Sequence, residues 1–100
     1  MQSTGKKPVI DVIIVNYNAG AALTRCVQSV LAQQESVRIH VVDNASSDNS
    51  IARLRSHTNT VENLAVIAND GNPGFARAVN QAAGTLDKDG QWRVSGYYVK

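Results

Sequence analysis

A single cysteine, two prolines, five aromatic side chains and no long apolar run set the first limits on this 100-residue chain. Cys26 has no second cysteine with which to close a disulfide, which fits a reducing compartment. With so little proline, seven glycines and 43% hydrophobic residues, collagen-like and disordered readings fall away. The longest apolar stretches, such as residues 12–15, are far too short to cross a bilayer. Lys6 and Lys7 lie near the start, but Asp11 interrupts the apolar stretch behind them and no small-residue cleavage site follows. No signal peptide is therefore expected. A formal net charge of +2 with so few aromatics argues against the basic, aromatic-interleaved stripe of a nucleic-acid binder. Two phosphate signatures are missing as well. No G-x-G-x-x-G follows the first apolar segment, and no G-x-x-x-x-G-K-[ST] occurs anywhere.

What is present runs three times from an apolar segment, through a polar loop, to an amphipathic segment. Residues 9–15 are nearly all β-branched apart from Asp11, as in a parallel strand covered on both faces. Leu23, Cys26, Val27, Val30 and Leu31 then mark one helical face, with Thr24, Arg25, Gln28 and Ser29 expected to point outward. Residues 37–42 read as a second strand. The following loop should cap a short helix at Ser47 or a neighbour, with Asp48 in its first turn and Ile51 and Leu54 inward. A third strand over residues 64–68 precedes the loop 69–74 and a helix carrying Phe75, Ala78, Val79, Ala82 and Ala83. This alternation predicts an α/β fold: a three-layer, Rossmann-like, mostly parallel sheet with helices on both faces. Ligands of such sheets bind beyond the carboxyl ends of the strands, where residues 16–18, 43–46 and 69–74 concentrate polar side chains. A carboxylate there can accept from a ribose hydroxyl or a base imide N–H, and Asn and Tyr can satisfy or stack on a base. A nucleotide is the favoured ligand.

Four stretches then acquire a family likeness. Val12-Ile13-Ile14-Val15-Asn16-Tyr17-Asn18 comes first, followed by Leu23, Cys26, Ser29-Val30 and Gln33. Val41-Val42-Asp43-Asn44-Ala45-Ser46-Ser47-Asp48-Asn49-Ser50 and Asn72-Pro73-Gly74-Phe75-Ala76-Arg77-Ala78-Val79-Asn80 complete the set. Together they resemble the start of a family 2 glycosyltransferase, nearest its rhamnosyltransferase-like branch, over residues 9–83. The resemblance implies a GT-A fold that binds a nucleoside-diphosphate sugar (UDP, dTDP or GDP type) with Mg2+ or Mn2+ and transfers the sugar with inversion. The acceptor would be a glycan or lipid-linked hydroxyl in polysaccharide biosynthesis, at a cytoplasmic location that can include the inner membrane face. By matching position, Asn16, Tyr17 and Asn18 fall on the nucleotide-facing loop and Asp43 on the acid that contacts the base. Ser46 and Asp48 match the motif that shapes that loop, and Gly74, Phe75 and Asn80 the segment bordering the same pocket.

The likeness stops before the metal. Family members continue with an apolar strand ending in Asp-x-Asp or Asn-Pro-Asp, whereas here Asp87-Lys88-Asp89 has no apolar strand before it and reads as a loop. No metal ligand, catalytic base or acceptor half is identified, so transfer by these residues alone is not expected. The chain divides into a polar lead (residues 1–8), a donor-binding half of a truncated GT-A domain (9–83) and a divergent loop with a strand-like tail (84–100).

Plainer roles stand beside these. Asp43 could instead cap the next helix, Tyr17 could pack on the sheet edge, and Asn16, Asn18 and Asn80 could be turn amides. Cys26 reads as core, His40 and His57 lack metal-ligand spacing, and Arg53, Arg55 and Arg77 read as solvated helix faces. A non-enzymatic binding or assembly module is the competing reading; a flavodoxin-like nucleotide binder is a third, disfavoured by the missing phosphate loop. Without the family's fourth strand, residues 9–15 would form an open apolar edge, to be filled by residues 94–99 or by another chain, such as a second copy, or left to drive aggregation.

Overall fold

Valine and isoleucine leave the first segment little choice but an extended conformation, since their branched side chains favour strands. In the computed structural model, which describes residues 9–33, 36–59, 61–86 and 91–94, this segment is β1 (Ile10–Asn16). It is followed by α1 (Ala21–Gln33), β2 (Val37–Asp43), α2 (Ser50–Thr58), β3 (Leu64–Ala68), α3 (Phe75–Ala83) and β4 (Gln91–Val94). The four strands form one sheet in the order β3-β2-β1-β4, and every pairing is parallel. β1 is matched to β2 along its whole length, from Ile10 opposite Val37 to Asn16 opposite Asp43.

Helices cover both faces, as the α/β reading expects. Val12, Ile14, Ile39 and Val41 pack with Leu23 and Val27 of α1 and Leu54 of α2. The alternate residues Ile13, Val15 and Val42 meet Ala78, Val79 and Ala82 of α3. The small side chains of α3 let that helix lie close to the sheet. Cys26 is half-buried and packs against the α1 side of the core.

Three expectations need correction. Thr24 does not point outward but is buried, with its Oγ1 lacking a hydrogen-bond partner. α1 lies against α2 as well as the sheet, which widens its covered face beyond the apolar stripe. α2 starts at Ser50, so Asp48 precedes the helix instead of occupying its first turn. The N-cap Asn49 makes no side-chain cap bond, and the Asp48 carboxylate accepts from the Ser50 N–H at 3.1 Å in its place. Finally, the slot beside β1 is filled by Gln91–Val94, three residues earlier than expected, with Ile10 opposite Gln91 and Ile13 opposite Val94. Polar Gln91 and Arg93 hide this strand from an apolarity reading. A second copy is therefore not needed beside the lower half of β1. Asp87, Asp89 and residues 95–100 lie outside the described residues.

Candidate functional site

The chain's order fixes where a ligand can enter. β1, β2 and β3 step outward in one direction, and β4 then returns to the other side of β1. The strand order thus reverses at β1, and the crevice of such a sheet opens at the carboxyl ends there. Asn16 ends β1 and Asp43 ends β2, directly opposite each other in register.

Asn16 is fully buried, so its amide must find partners inside the protein. Its Nδ2 donates to Asp43 Oδ1 at 2.7 Å, Ser50 Oγ at 2.8 Å and Ser46 Oγ at 3.0 Å. Its Oδ1 accepts from the Ala19 N–H at 3.3 Å. Ser46 donates its hydroxyl to Asp43 Oδ1 at 2.6 Å and accepts the Asn18 N–H at 2.9 Å. The second Asp43 oxygen receives the Ser46 N–H at 3.3 Å. A second clasp lies nearer solvent. Asn18 Oδ1 accepts the N–H groups of Ser47 and Asp48 at 2.7 and 3.2 Å, and Asp48 Oδ2 accepts the Gly20 N–H at 3.0 Å. The β1 and β2 loops are therefore tied to each other, side chain to backbone, in both directions.

Local backbone geometry permits this. Asn18 and Ala45 adopt φ of 56° and 59°, and Gly20 adopts 60°. Asn tolerates the left-handed region and Gly has no penalty there, but Ala45 is strained.

Five of the residues singled out from sequence, Asn16, Asn18, Asp43, Ser46 and Asp48, thus belong to one network. Tyr17 is half-buried on the same loop. Gly74 joins the network through Asn44, whereas Phe75 stands 40% exposed at the start of α3. Asn80 lies exposed on α3, more than a turn beyond Phe75 and outside the network. Asn44, Asn69 and Asn72 lie in the stretches expected to form the ligand edge and Ser50 in a family-like stretch, but none of them, nor Gln81, was expected to have a role of its own. Asn44 is fully buried and accepts from Asn69 Nδ2 at 3.0 Å, and Asn69 and Gln81 exchange a reciprocal amide pair at 2.9 Å each way. The available signal was the density of asparagine at successive strand ends.

Burial pushes the Asp48 carboxyl up, but hydrogen bonds from the Ser50 hydroxyl and N–H and from the Gly20 N–H outweigh it. The group ends below the ordinary carboxylate value. A shallow recess of about 420 Å³ opens over Asn69, Asp70, Gly71, Asn72 and Pro73. Asp43 and Asp48 do not form a divalent-cation site. Asp43 and Asp48 direct their oxygens to loop donors, and among the described residues no three His, Cys, Asp or Glu side chains converge.

A parallel sheet with helices on both faces and a polar carboxyl edge defines a Rossmann-like domain. Within that class, the chain belongs to glycosyl transferase family 2, whose profile matches residues 11–92. The match runs past the residue 83 limit of the sequence resemblance and takes in the start of β4. An uncharacterized glycosyltransferase of Nostoc sp. (strain PCC 7120) is 39% identical over 93 aligned positions, covering 84% of this chain and 29% of the relative. The fold is that of the mannosyltransferase PcManGT from Pyrobaculum calidifontis, solved in complex with GDP-Man and Mn2+. The TM-score is 0.72 and the identity 23%, over 83% of this chain and 26% of that one. The fold is therefore of the GT-A type, and the chain spans less than a third of the length of either protein.

Proposed function

We propose that this chain supplies the donor-nucleotide side of an inverting glycosyltransferase that moves a sugar from a UDP, dTDP or GDP carrier to a glycan or lipid-linked hydroxyl. The setting is polysaccharide assembly at the cytoplasmic side. The observation that carries the reading is the buried Asn16–Asp43–Ser46 network at the carboxyl ends of adjacent parallel strands, in a family 2 chain.

Each group has a task that its chemistry permits. Asp43 Oδ1 serves Asn16 and Ser46, while Oδ2 takes one long bond and retains capacity for a base N–H. Asn16 and Ser46 hold that carboxylate at a fixed angle, so the base meets a pre-arranged acceptor. The Tyr17 ring, on the adjoining loop, offers a stacking surface. Inversion itself requires a base that takes the acceptor proton as the hydroxyl oxygen attacks the anomeric carbon and the diphosphate leaves. None of the described residues is assigned that role. Binding without transfer is a second reading, favoured by the engagement of Asp43 and Asp48 with loop donors.

Calorimetric titration of the chain with UDP, dTDP and GDP, with and without Mn2+, tests the reading. Binding of at least one diphosphate is expected, weakened about tenfold or more in Asp43→Ala by loss of a charge-assisted hydrogen bond. Unchanged affinity in that variant would remove the base contact. Transfer by these residues alone is expected under neither reading, so sugar release or transfer from a nucleotide sugar by this chain would remove the binding-only one.

A further inference from the structure

The carboxyl edge rests on two fully buried amides, and the donor-nucleotide reading has used only Asn16. Asn44, also 0% exposed, cannot itself touch a ligand. Its bonds nevertheless reach the ends of β1 and β3 and the 72–74 turn. The backbone N–H donates to Asn16 O at 2.9 Å, and Oδ1 accepts from Asn69 at the end of β3. Nδ2 donates to Asn72 Oδ1 at 3.2 Å and to Gly74 O at 3.4 Å. Asn72 Oδ1 in turn accepts the Gly74 N–H at 3.0 Å. Gly74 has φ +93°, and a Cβ there would meet nothing within 4 Å, so the turn needs glycine for its backbone and not for space. Asn44 and Asn72 clamp that turn from two sides. Asn44 follows Asp43 in the chain while its side chain fixes the 72–75 wall.

We propose that Asn44 is a positioning residue that sets the 72–75 turn against Asp43 and thereby sets affinity for a nucleoside diphosphate; this rests on the donor-nucleotide reading above. Only an amide satisfies the position. It must accept from Asn69 and donate to two oxygens, whereas an isosteric Asp accepts only and would face Asn72 Oδ1 and Gly74 O. An apolar residue would leave all three partners short of a bond.

The test compares the unmodified chain with Asn44→Asp, Asn72→Ala and the combined variant. UDP, dTDP and GDP affinities are measured by calorimetry, and exchange of the 72–76 amides by mass spectrometry. Asn44→Asp is expected to keep its fold, speed exchange in that segment and weaken the bound diphosphate about tenfold, the equivalent of one lost buried hydrogen bond. The combined variant should lose no more than the larger single variant, because both act through one turn. A folded Asn44→Asp chain whose Kd stays within about twofold overturns the proposal, as do additive losses in the combined variant. If Asn44→Asp does not fold, unchanged affinity in Asn72→Ala overturns it equally. An unmodified chain that binds none of the three diphosphates defeats the donor-nucleotide reading itself, and the positioning role with it.

Discussion

The two ends of this sheet solve the problem of buried polarity with different chemistry. At the amino end, on the α3 face, Asp11 is almost fully buried and receives Arg38 Nε at 2.9 Å, Arg38 Nη2 at 3.0 Å and His40 Nε2 at 2.8 Å. All three groups come from paired strands, so register alone assembles them. At the carboxyl end Asn16 and Asn44 draw partners from beyond the strands as well, from loops and the start of α2, and every residue with positive φ among the described residues lies there. Strained backbone collects at functional sites because the surroundings must hold it in place. One end therefore joins strands, and the other shapes a surface. Amino-end substitutions should change stability alone, while carboxyl-end substitutions should change stability and binding together.

The largest effect should follow Asn16→Ala. It removes the amide from four partners, leaving Ser50 and the Ala19 N–H short of a bond. A loss of about 2–4 kcal/mol is expected in urea unfolding, with diphosphate binding abolished, from the cost of buried unsatisfied groups. A loss under about 1 kcal/mol with intact binding would erase the distinction.

Asp11→Ala comes next, at about 1–3 kcal/mol, because half-exposed Arg38 can turn to water while His40 is more confined. Diphosphate affinity should not move, and a change in it would break the comparison from the other side. Burial raises the Asp11 carboxyl, but hydrogen bonds from Arg38 and His40 and their positive charge bring it below its ordinary value. Its folded pKa is thus lower than its unfolded one. The stabilisation is present above about pH 4 and is lost as pH falls through the folded value. Asp48 adds the same sign. Unfolding midpoints followed downward from about pH 6 should show a shallower acid decline in Asp11→Asn. An unaltered acid limb would contradict the assignment.

Ala45→Gly should have the smallest effect. Relief of a left-handed alanine, about 1–2 kcal/mol, is offset by about 0.4–1 kcal/mol of added freedom in the unfolded chain. A net gain below about 1.6 kcal/mol in thermal unfolding is expected, and a clear destabilisation would show that Ala45 packs rather than strains.

Much of this was legible in the sequence, for reasons that differ by element. β1 announced itself because double burial leaves a β-branched run, β2 because it alternates and then turns fully apolar, and α3 because its Ala face repeats at helical spacing. The start of α2 did not, because Asp48 caps from outside the helix and displaces the boundary. β4 did not, because a parallel strand can be recruited by the crossover that delivers it and Gln91 and Arg93 give no apolar signal. At the site, residues at strand ends were visible as types. Which of them was structural was not, since Asn16 and Asn44 look like turn amides until their burial is known. Asp11 likewise read as an interruption until register placed Arg38 and His40 beside it.

A nucleoside diphosphate should bind the carboxyl edge and leave the amino end untouched. Amide chemical shifts of the isotope-labelled chain, titrated with UDP, dTDP and GDP, test this most directly. Movement is expected at residues 16–20, 43–48 and 69–75, with Asp11, Arg38 and His40 silent. Shifts confined to the amino end, or none with any of the three, would contradict it.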